Sequence, residues 1–219
     1  MAMNFEQARV NMVENQVRPW EVLDGRVLDV IGRVRREDFV ASEHRQLAFA
    51  DLCLPIGHGE VMMKPVVEGR VLQALALQPT DHVLEIGTGS GYLSACLATL
   101  AARLTSVDIR ADFTAVAAER LREAGIANVS LVTSEAVNAW QPDEKFDALV
   151  VTGAVAEIPS RWLGWLKPGA RALIVRGQSP VQHATLLTQE GGGGYREEIL
   201  FETDLPYLTH AEPVARFVF

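Results

Sequence analysis

The chain has 219 residues, of which 48% are apolar and 22% charged, an ordinary globular mixture with enough apolar material for a large core. Its formal net charge of -8 argues against a broad surface for nucleic acid or anionic membrane. Two cysteines, Cys53 and Cys96, are too few for a disulfide framework, and their apolar neighbours predict buried free thiols in a reducing compartment.

The N-terminal part of the chain predicts helices followed by an ordered loop. Residues 5–17 have an amphipathic pattern that Pro19 ends, and Asp24 is a plausible N-cap for a second helix. Residues 33–38 (RVRRED) are expected to be a solvated helix end, because acids directly follow the arginines. Residues 47–65 have little helical period and two glycines, so they predict an ordered loop with a short strand. No apolar signal peptide or membrane span is evident, which predicts a cytoplasmic protein.

From residue 66 onward, helix-like and strand-like segments alternate. The predicted helices cover residues 66–77, 92–101, 111–125 and 160–169. The predicted strands cover residues 82–86, 103–109, 128–133, 146–153 and 170–175. Helices and strands that alternate at this length predict an α/β fold, a doubly wound, mostly parallel sheet with helices on both faces. In the tail, strand-like segments flank Gly191 to Gly194 and predict an antiparallel hairpin, with residues 214–219 as a final strand.

Three glycines, Gly87, Gly89 and Gly91, follow the first strand of the alternating region. In such a sheet, a glycine-rich turn after the first strand lies at the carboxyl ends of the strands, where ligands bind. Glycine suits this position because a side chain would block the approach of a ligand to the backbone. A tight turn without a ligand is the alternative. Glu85 before the turn and Asp108 at the end of the next strand favour a ligand site.

Three common ligand motifs do not fit this turn. The dinucleotide pattern G-x-G-x-x-G/A fails because Tyr92 stands where the third small residue belongs. The nucleophile elbow G-x-S-x-G fails because Thr88 and Tyr92 flank Ser90, and the P-loop lacks its Gly-Lys-Ser/Thr.

No metal-ligand spacing is found among the histidines His44, His82, His183 and His210, so no metal is expected.

The pattern E-x-G-x-G-x-G resembles the S-adenosylmethionine site of the doubly wound methyltransferases. Longer segments are similar to the protein-L-isoaspartate O-methyltransferases, namely residues 12–40, 54–67, 83–98, 146–159, 166–175 and 214–219. The resemblance implies a Rossmann-like class I methyltransferase fold over residues 1–219, as a single domain. Within it, residues 1–65 would hold N-terminal helices and a substrate loop, residues 66–178 the cofactor-binding core, and residues 179–219 the antiparallel strands.

The resemblance also implies the chemistry. An isoaspartyl side chain of a damaged protein would receive a methyl group from S-adenosylmethionine, leaving S-adenosylhomocysteine, and the methyl ester would collapse to a succinimide that reopens partly to normal aspartate. The acceptor carboxylate is ionised at neutral pH, so no general base is needed and the enzyme supplies desolvation, alignment and proximity. No membrane or nucleic-acid partner is implied, and the oligomeric state is left open.

Site residues follow from the same resemblance. Asp108 is expected at the ribose hydroxyls and Glu135 at the adenine. The full set of expected cofactor contacts is Glu85, Gly87, Thr88, Gly89, Ser90, Gly91, Asp108, Ile109, Glu135, Ala136 and Thr152. The expected substrate contacts are His58, Gly59, Met63 and Lys64.

The substrate loop departs from the family pattern Gly-Gln-Thr-Ile-Ser-Gln-Pro. Val61 replaces the Thr, and Met63 replaces the Ser that is most often assigned a catalytic role, so the catalytic residue is left unassigned. A thioether cannot donate a hydrogen bond to a carboxylate, and losing one such donor costs roughly 10- to 150-fold. The loop with Glu135 also differs, because Ser134-Glu135-Ala136 stands where the family has Gly-Asp-Gly.

Two interpretations of the loop remain open. Met62 and Met63 are either core filler or part of a loop rebuilt for another acceptor, with Lys64 as a cation for a carboxylate or simply a surface residue. The alternatives to isoaspartyl methylation are therefore a methyltransferase for a different acceptor, and a cofactor-binding, catalytically silent homologue that acts through a partner.

Overall fold

The computed structural model describes residues 3–190 and 194–214. Within them the α-helices are α1 (Phe5–Met12), α2 (Gly25–Arg33), α3 (Pro65–Leu75), α4 (Tyr92–Leu100), α5 (Ala111–Glu123) and α6 (Ser160–Gly164). The strands are β1 (Leu54–Gly57), β2 (Glu60–Met62), β3 (His82–Ile86), β4 (Arg103–Asp108), β5 (Val129–Thr133), β6 (Phe146–Val155), β7 (Leu166–Gln178), β8 (Val181–Gln189) and β9 (Tyr195–Thr203).

One sheet contains seven of these strands, in the order β5-β4-β3-β6-β7-β8-β9. Neighbouring strands from β5 to β7 run parallel, whereas β8 and β9 are antiparallel to their neighbours. The strand order reverses at β3, which pairs with β4 on one side and β6 on the other. The predicted doubly wound sheet with an antiparallel C-terminal hairpin is therefore confirmed.

The side chains of the central strands alternate between two apolar layers, as the period of a strand requires. On one face of the sheet, Val83, Ala148 and Leu173 pack with residues of the N-terminal helices and of α3 to α5. On the other face, Leu84, Leu149 and Ala172 pack with the two buried tryptophans Trp162 and Trp165. Both faces are covered, which explains why β3 and β6 are mostly apolar on both sides of the sheet.

The predicted N-terminal helices are present. After α1 the helical path continues through a π-helical turn at Val13–Val17 and a 3₁₀ turn at Arg18–Trp20. Asp24 is the N-cap of α2, and its side chain accepts a hydrogen bond of 2.8 Å from the backbone N–H of Arg26.

The main differences from the predicted elements lie in two regions. The region 47–65 contains two strands instead of one, because β1 and β2 form a hairpin joined by His58 and Gly59. Both turn residues have positive φ, 55° and 81°, the geometry of tight two-residue hairpin turns. The helix predicted over residues 160–169 ends at Gly164, because Leu166 already pairs with Phe146 in the sheet.

The segment RVRRED was predicted to be a solvated helix end, but only part of it is exposed. Arg36 and Glu37 are 0% and 1% exposed, although both carry charged groups. The arginine is buried because its whole guanidinium finds acceptors inside the protein.

The cysteines are both free, but only Cys96 is buried, since Cys53 is partly exposed.

The segment after β9 returns to the sheet at the end of β6. The backbone N–H of Ala154 donates to the Pro206 carbonyl over 2.8 Å, and the N–H of Leu208 donates to the Ala154 carbonyl over 2.9 Å. The strand predicted at residues 214–219 lies almost wholly outside the described residues, as does most of the loop Gly191 to Gly194. In the described part of the chain, every helix is too short or too polar to cross a membrane.

Candidate functional site

A cavity opens at the carboxyl ends of β3 to β6, where the strand order reverses. It encloses about 620 Å³ of empty space including its open mouth. Its walls come from the four strand ends, the β1–β2 hairpin and the segment after β9. We refer to it as the main cavity.

The glycine turn forms the floor of this cavity. Gly87, Gly89 and Gly91 have φ values of 97°, 50° and 83°, which other residues rarely adopt. Gly87 and Gly89 line the main cavity. Gly91 has another role, because it is the N-cap of α4 and lies so close to Ala117 of α5 that a Cβ there would approach the alanine Cβ to 3.0 Å.

Asp108 lies at the rim of the main cavity, at the end of β4. Its carboxylate accepts one hydrogen bond from the backbone N–H of Gly89 and one from that of Arg110, both 2.9 Å long. These two donors fix the orientation of the carboxylate and tie the end of β4 to the glycine turn. Such a carboxylate retains lone pairs that can accept from the hydroxyls of a ligand.

Ile109, Glu135, Ala136 and Thr152 also line the main cavity, as expected from the sequence. The Glu135 carboxylate, however, accepts hydrogen bonds from the backbone N–H groups of Val137 and Asn138, at 2.5 and 3.0 Å. Part of its acceptor capacity is therefore used to stabilise its own turn.

A second, smaller cavity adjoins the first, and we refer to it as the inner cavity. Glu85, Thr88 and Ser90 line it together with residues of the hairpin and α3. Glu85 is completely buried, and one carboxylate oxygen accepts hydrogen bonds from the hydroxyls of Ser94 and Ser106. The other oxygen, Oε1, has no hydrogen-bond partner in the described residues. Burial raises the pKa of Glu85 to about 8 despite the two serine hydroxyls.

The β1–β2 hairpin covers both cavities with Ile56 and Val61. Its tip is held to the start of α5, because His58 Nε2 lies 2.7 Å from a carboxylate oxygen of Asp112. A longer contact of 3.4 Å joins Glu60 to Arg110. His58 and Gly59, expected at the substrate, are thus at the exposed hairpin tip and line neither cavity.

Met63 and Lys64 point in different directions. Met63 is 4% exposed and lines the inner cavity next to Met62. Lys64 instead lines a separate cavity that also contains Asp51 and Asp204. The side chain of Lys64 is therefore not brought together with the other expected site residues.

Some lining residues of the main cavity were not identified from the sequence. Arg110 and Phe113 follow Asp108 closely in the chain, so their position just after the end of a strand could have identified them as lining residues. Leu208 and Thr209 come from the tail, where no motif marks them. Within residues 3–190 and 194–214, no group of three or more His, Cys, Asp or Glu side chains is arranged to hold a metal ion.

Comparison with solved structures gives the same architecture. The structure of a Plasmodium falciparum protein described as a protein-L-isoaspartate O-methyltransferase, in complex with S-adenosyl-L-homocysteine, matches 94% of this chain and 99% of its own, with a TM-score of 0.78 and 18% identity. A second protein-L-isoaspartate O-methyltransferase structure matches 91% of this chain and 65% of its own, with a TM-score of 0.76 and 22% identity. At these identities the likeness establishes the fold.

Comparison of sequences goes further. The protein from Brucella anthropi named protein-L-isoaspartate O-methyltransferase is 34% identical over 198 residues, covering 90% of this chain and 91% of the relative. A protein of the same name from Myxococcus xanthus is 40% identical over 153 residues, covering 70% and 72% of the two chains. The profile of the family "Protein-L-isoaspartate(D-aspartate) O-methyltransferase (PCMT)" matches residues 7–205. This chain therefore belongs to the protein-L-isoaspartate(D-aspartate) O-methyltransferase family.

Proposed function

We propose that this protein transfers a methyl group from S-adenosylmethionine to the side-chain carboxylate of isoaspartyl residues in damaged proteins or peptides. Membership of the family supports the activity. The observation that carries the proposal is the main cavity, in which the Asp108 carboxylate is held by two backbone N–H groups beside a glycine floor.

The main cavity fits a nucleoside. Apolar side chains, among them Ile86, Phe113 and Leu208, form walls against which an adenine can pack. Asp108 is placed to accept hydrogen bonds from the ribose hydroxyls, and Gly87 and Gly89 leave room for the backbone to approach the ligand.

The charges of the main cavity favour a ligand without phosphate groups. Three carboxylates line it, those of Glu60, Asp108 and Glu135, whereas Arg110 is the one cation among its described lining residues. This arginine contacts Glu60 at 3.4 Å. A pyrophosphate would be repelled by the carboxylates, whereas a ligand with a positively charged sulfonium would be attracted.

The inner cavity is suited to the acceptor, which we propose lies beside Met63. Val61, Met62, Met63 and Leu93 give it an apolar lining that removes water from a bound carboxylate and so strengthens its electrostatic attraction to a sulfonium. Because the pKa of Glu85 is about 8, this side chain is protonated at neutral pH and does not repel the acceptor. The donor supplies a methyl group bound to a positively charged sulfur, so the chain itself has only to align the carboxylate and exclude water.

A different acceptor is the second candidate function. The hairpin presents no hydroxyl at Val61 or Met63, and the hydroxyls that line the inner cavity belong to Thr88 and Ser90 of the glycine turn. An acceptor less dependent on hydrogen bonds than a carboxylate would suit this lining.

We infer a cytoplasmic location and one methyltransferase domain over residues 1–219 from the family resemblance.

The test is methyl transfer from labelled S-adenosylmethionine to an isoaspartyl peptide, with the same peptide containing normal aspartate as the control. Isoaspartate-selective turnover establishes the proposed activity. Turnover on small acceptors without a carboxylate, but not on the peptide, indicates the different acceptor. Calorimetry with S-adenosylhomocysteine runs in parallel, because tight binding without turnover on any acceptor would identify a catalytically silent homologue.

A further inference from the structure

Arg36 is a buried cation that has no role in the proposed function as described so far for the two cavities. Its side chain is fully buried, and its Nε donates a hydrogen bond of 2.8 Å to the carbonyl of Ala48. One terminal nitrogen donates to the Met63 carbonyl over 2.6 Å, and the other forms an ion pair with Glu68. A buried charge is expensive unless it is fully paired, so these three acceptors hold the guanidinium in one place.

These partners belong to separate parts of the site. Met63 lies in the two-residue link between β2 and α3, and Glu68 lies in the first turn of α3. The guanidinium also stacks over the ring of Tyr92, with its carbon 4.7 Å from the ring centroid. Tyr92 is the first residue of α4 and directly follows the glycine turn. A single side chain therefore bridges the hairpin link and the helix that begins at the glycine turn.

The inner cavity lies between the two sides of this bridge. Met63 and Glu68 line it from the hairpin and α3, and Thr88 and Ser90 line it from the glycine turn. A shift of the Met63 backbone would change the distance between the two walls. The guanidinium fork is planar and rigid and donates in several directions at once, which the single ammonium of a lysine cannot reproduce.

We propose that Arg36 is a positioning residue for the methyl acceptor, which acts by holding the Met63 carbonyl and so sets the width of the inner cavity. The inference rests on the proposed function in one respect, that the acceptor occupies this cavity. The cofactor contacts at Asp108 and Gly89 involve none of the bonds of Arg36.

The first test compares the wild-type protein with Arg36→Lys and with the charge-neutral double variant Arg36→Met/Glu68→Met. The double variant removes both buried charges together, so that the remaining core can fold without an unpaired ion. We expect kcat/KM for the isoaspartyl peptide to fall by about 10- to 100-fold in both variants, as for the loss of a charged hydrogen bond. The Kd of S-adenosylhomocysteine should change much less, since the contacts at Asp108 and Gly89 involve none of the bonds of Arg36.

Arg171→Lys is the matched control. Arg171 also joins a carbonyl and a carboxylate, those of Ala76 at 2.6 Å and Asp81 at 2.9 Å, but it lines neither cavity. This variant should lower the thermal midpoint without a selective effect on the peptide. Equal effects of Arg36→Lys and Arg171→Lys on kcat/KM would overturn the inference, as would an equal loss of affinity for the peptide and for S-adenosylhomocysteine.

Hydrogen exchange of the backbone amides at residues 59–64 provides a readout that does not depend on activity. We expect Arg36→Lys to accelerate exchange there by about tenfold or more, with no such change in Arg171→Lys. If the wild-type protein does not methylate the peptide, the proposed function fails, whereas the exchange experiment still decides whether Arg36 holds the link. Unchanged exchange would reject the role of Arg36.

Discussion

The hydroxyl of Thr152 donates a hydrogen bond of 2.6 Å to the carbonyl of Gly87, and it occupies the space where a Cβ on residue 87 would lie. The two residues belong to β6 and to the turn after β3, which are neighbours at the point where the strand order reverses. The floor of the main cavity is thus fixed by a contact that only glycine allows.

Gly87→Ala should therefore weaken the binding of S-adenosylhomocysteine. The added methyl group overlaps Thr152, and the φ of 97° is strained for alanine, so we expect a loss of affinity of about 10- to 100-fold by calorimetry. Gly164→Ala is the control, because nothing lies within 4 Å of a Cβ there. Unchanged affinity in Gly87→Ala would show that the turn does not contact the ligand.

Met63→Ser should raise isoaspartyl methylation while it lowers stability. The side chain is 4% exposed, so its truncation costs about 2–4 kcal/mol of unfolding free energy, whereas the new hydroxyl can donate to the acceptor carboxylate. We expect kcat/KM for the isoaspartyl peptide to rise by about tenfold. Met62→Ser, which is equally buried and lines the same cavity, should lose stability without this gain. If the two variants behave alike, the missing hydroxyl does not limit the activity.

Glu85 makes the stability of the protein fall as the pH rises. Its pKa is about 8 in the folded protein against a usual 4.5, so between about pH 5 and pH 8 the folded state keeps a proton that the unfolded state has lost. The unfolding free energy should decrease over this range, by up to about 1.4 kcal/mol per pH unit from this group. Glu68, whose pKa burial raises to about 7, contributes in the same direction.

Urea unfolding of Glu85→Gln at pH 5, 6, 7 and 8 tests this dependence, which should be shallower than in the wild-type protein. Glu144→Gln is the control. A hydrogen bond from Arg103 lowers the pKa of Glu144, so this exposed group does not produce a decrease of stability over the same range. An unchanged slope in Glu85→Gln would mean that Glu85 is already ionised at neutral pH.

His58→Ala should accelerate the release of the cofactor product. The contact between His58 and Asp112 holds the hairpin over the main cavity, but both side chains are largely exposed, so the contact is worth at most about 1 kcal/mol. Stopped-flow measurements should give a koff for S-adenosylhomocysteine about 2- to 5-fold higher. Asp29→Ala breaks an exposed ion pair with Arg33 on α2, remote from the hairpin, and should leave koff unchanged. Equal rates in both variants and in the wild-type protein would show that the hairpin tip does not restrain the ligand.

Local patterns were sufficient for the main features of the fold. The strand HVLEI, the glycine turn and the carboxylate of Asp108 were all predicted, because each is set by residues close to it in the chain. The rule that ligands bind at the carboxyl ends of parallel strands then brought Gly89 and Asp108 together, which the structure confirms.

Long-range packing decided what the sequence did not reveal. From the sequence, Arg36 was expected at the surface. It is buried because Ala48, Met63 and Glu68, which are distant in the chain, supply acceptors for its guanidinium. Lys64 follows Met63 directly, yet its side chain turns to a different cavity because the chain enters α3 at this point. Neither outcome depends on local propensity, so neither was accessible from residue patterns.

The pairing of Ala154 with the segment around Leu208 has a consequence for biosynthesis. Leu208 and Thr209 form part of the wall of the main cavity, so this wall is supplied by residues that the ribosome adds more than a hundred positions after the glycine turn. A growing polypeptide folds its earlier parts first. The wall of the main cavity is therefore complete only after Leu208 and Thr209 have emerged and the segment has paired with the end of β6.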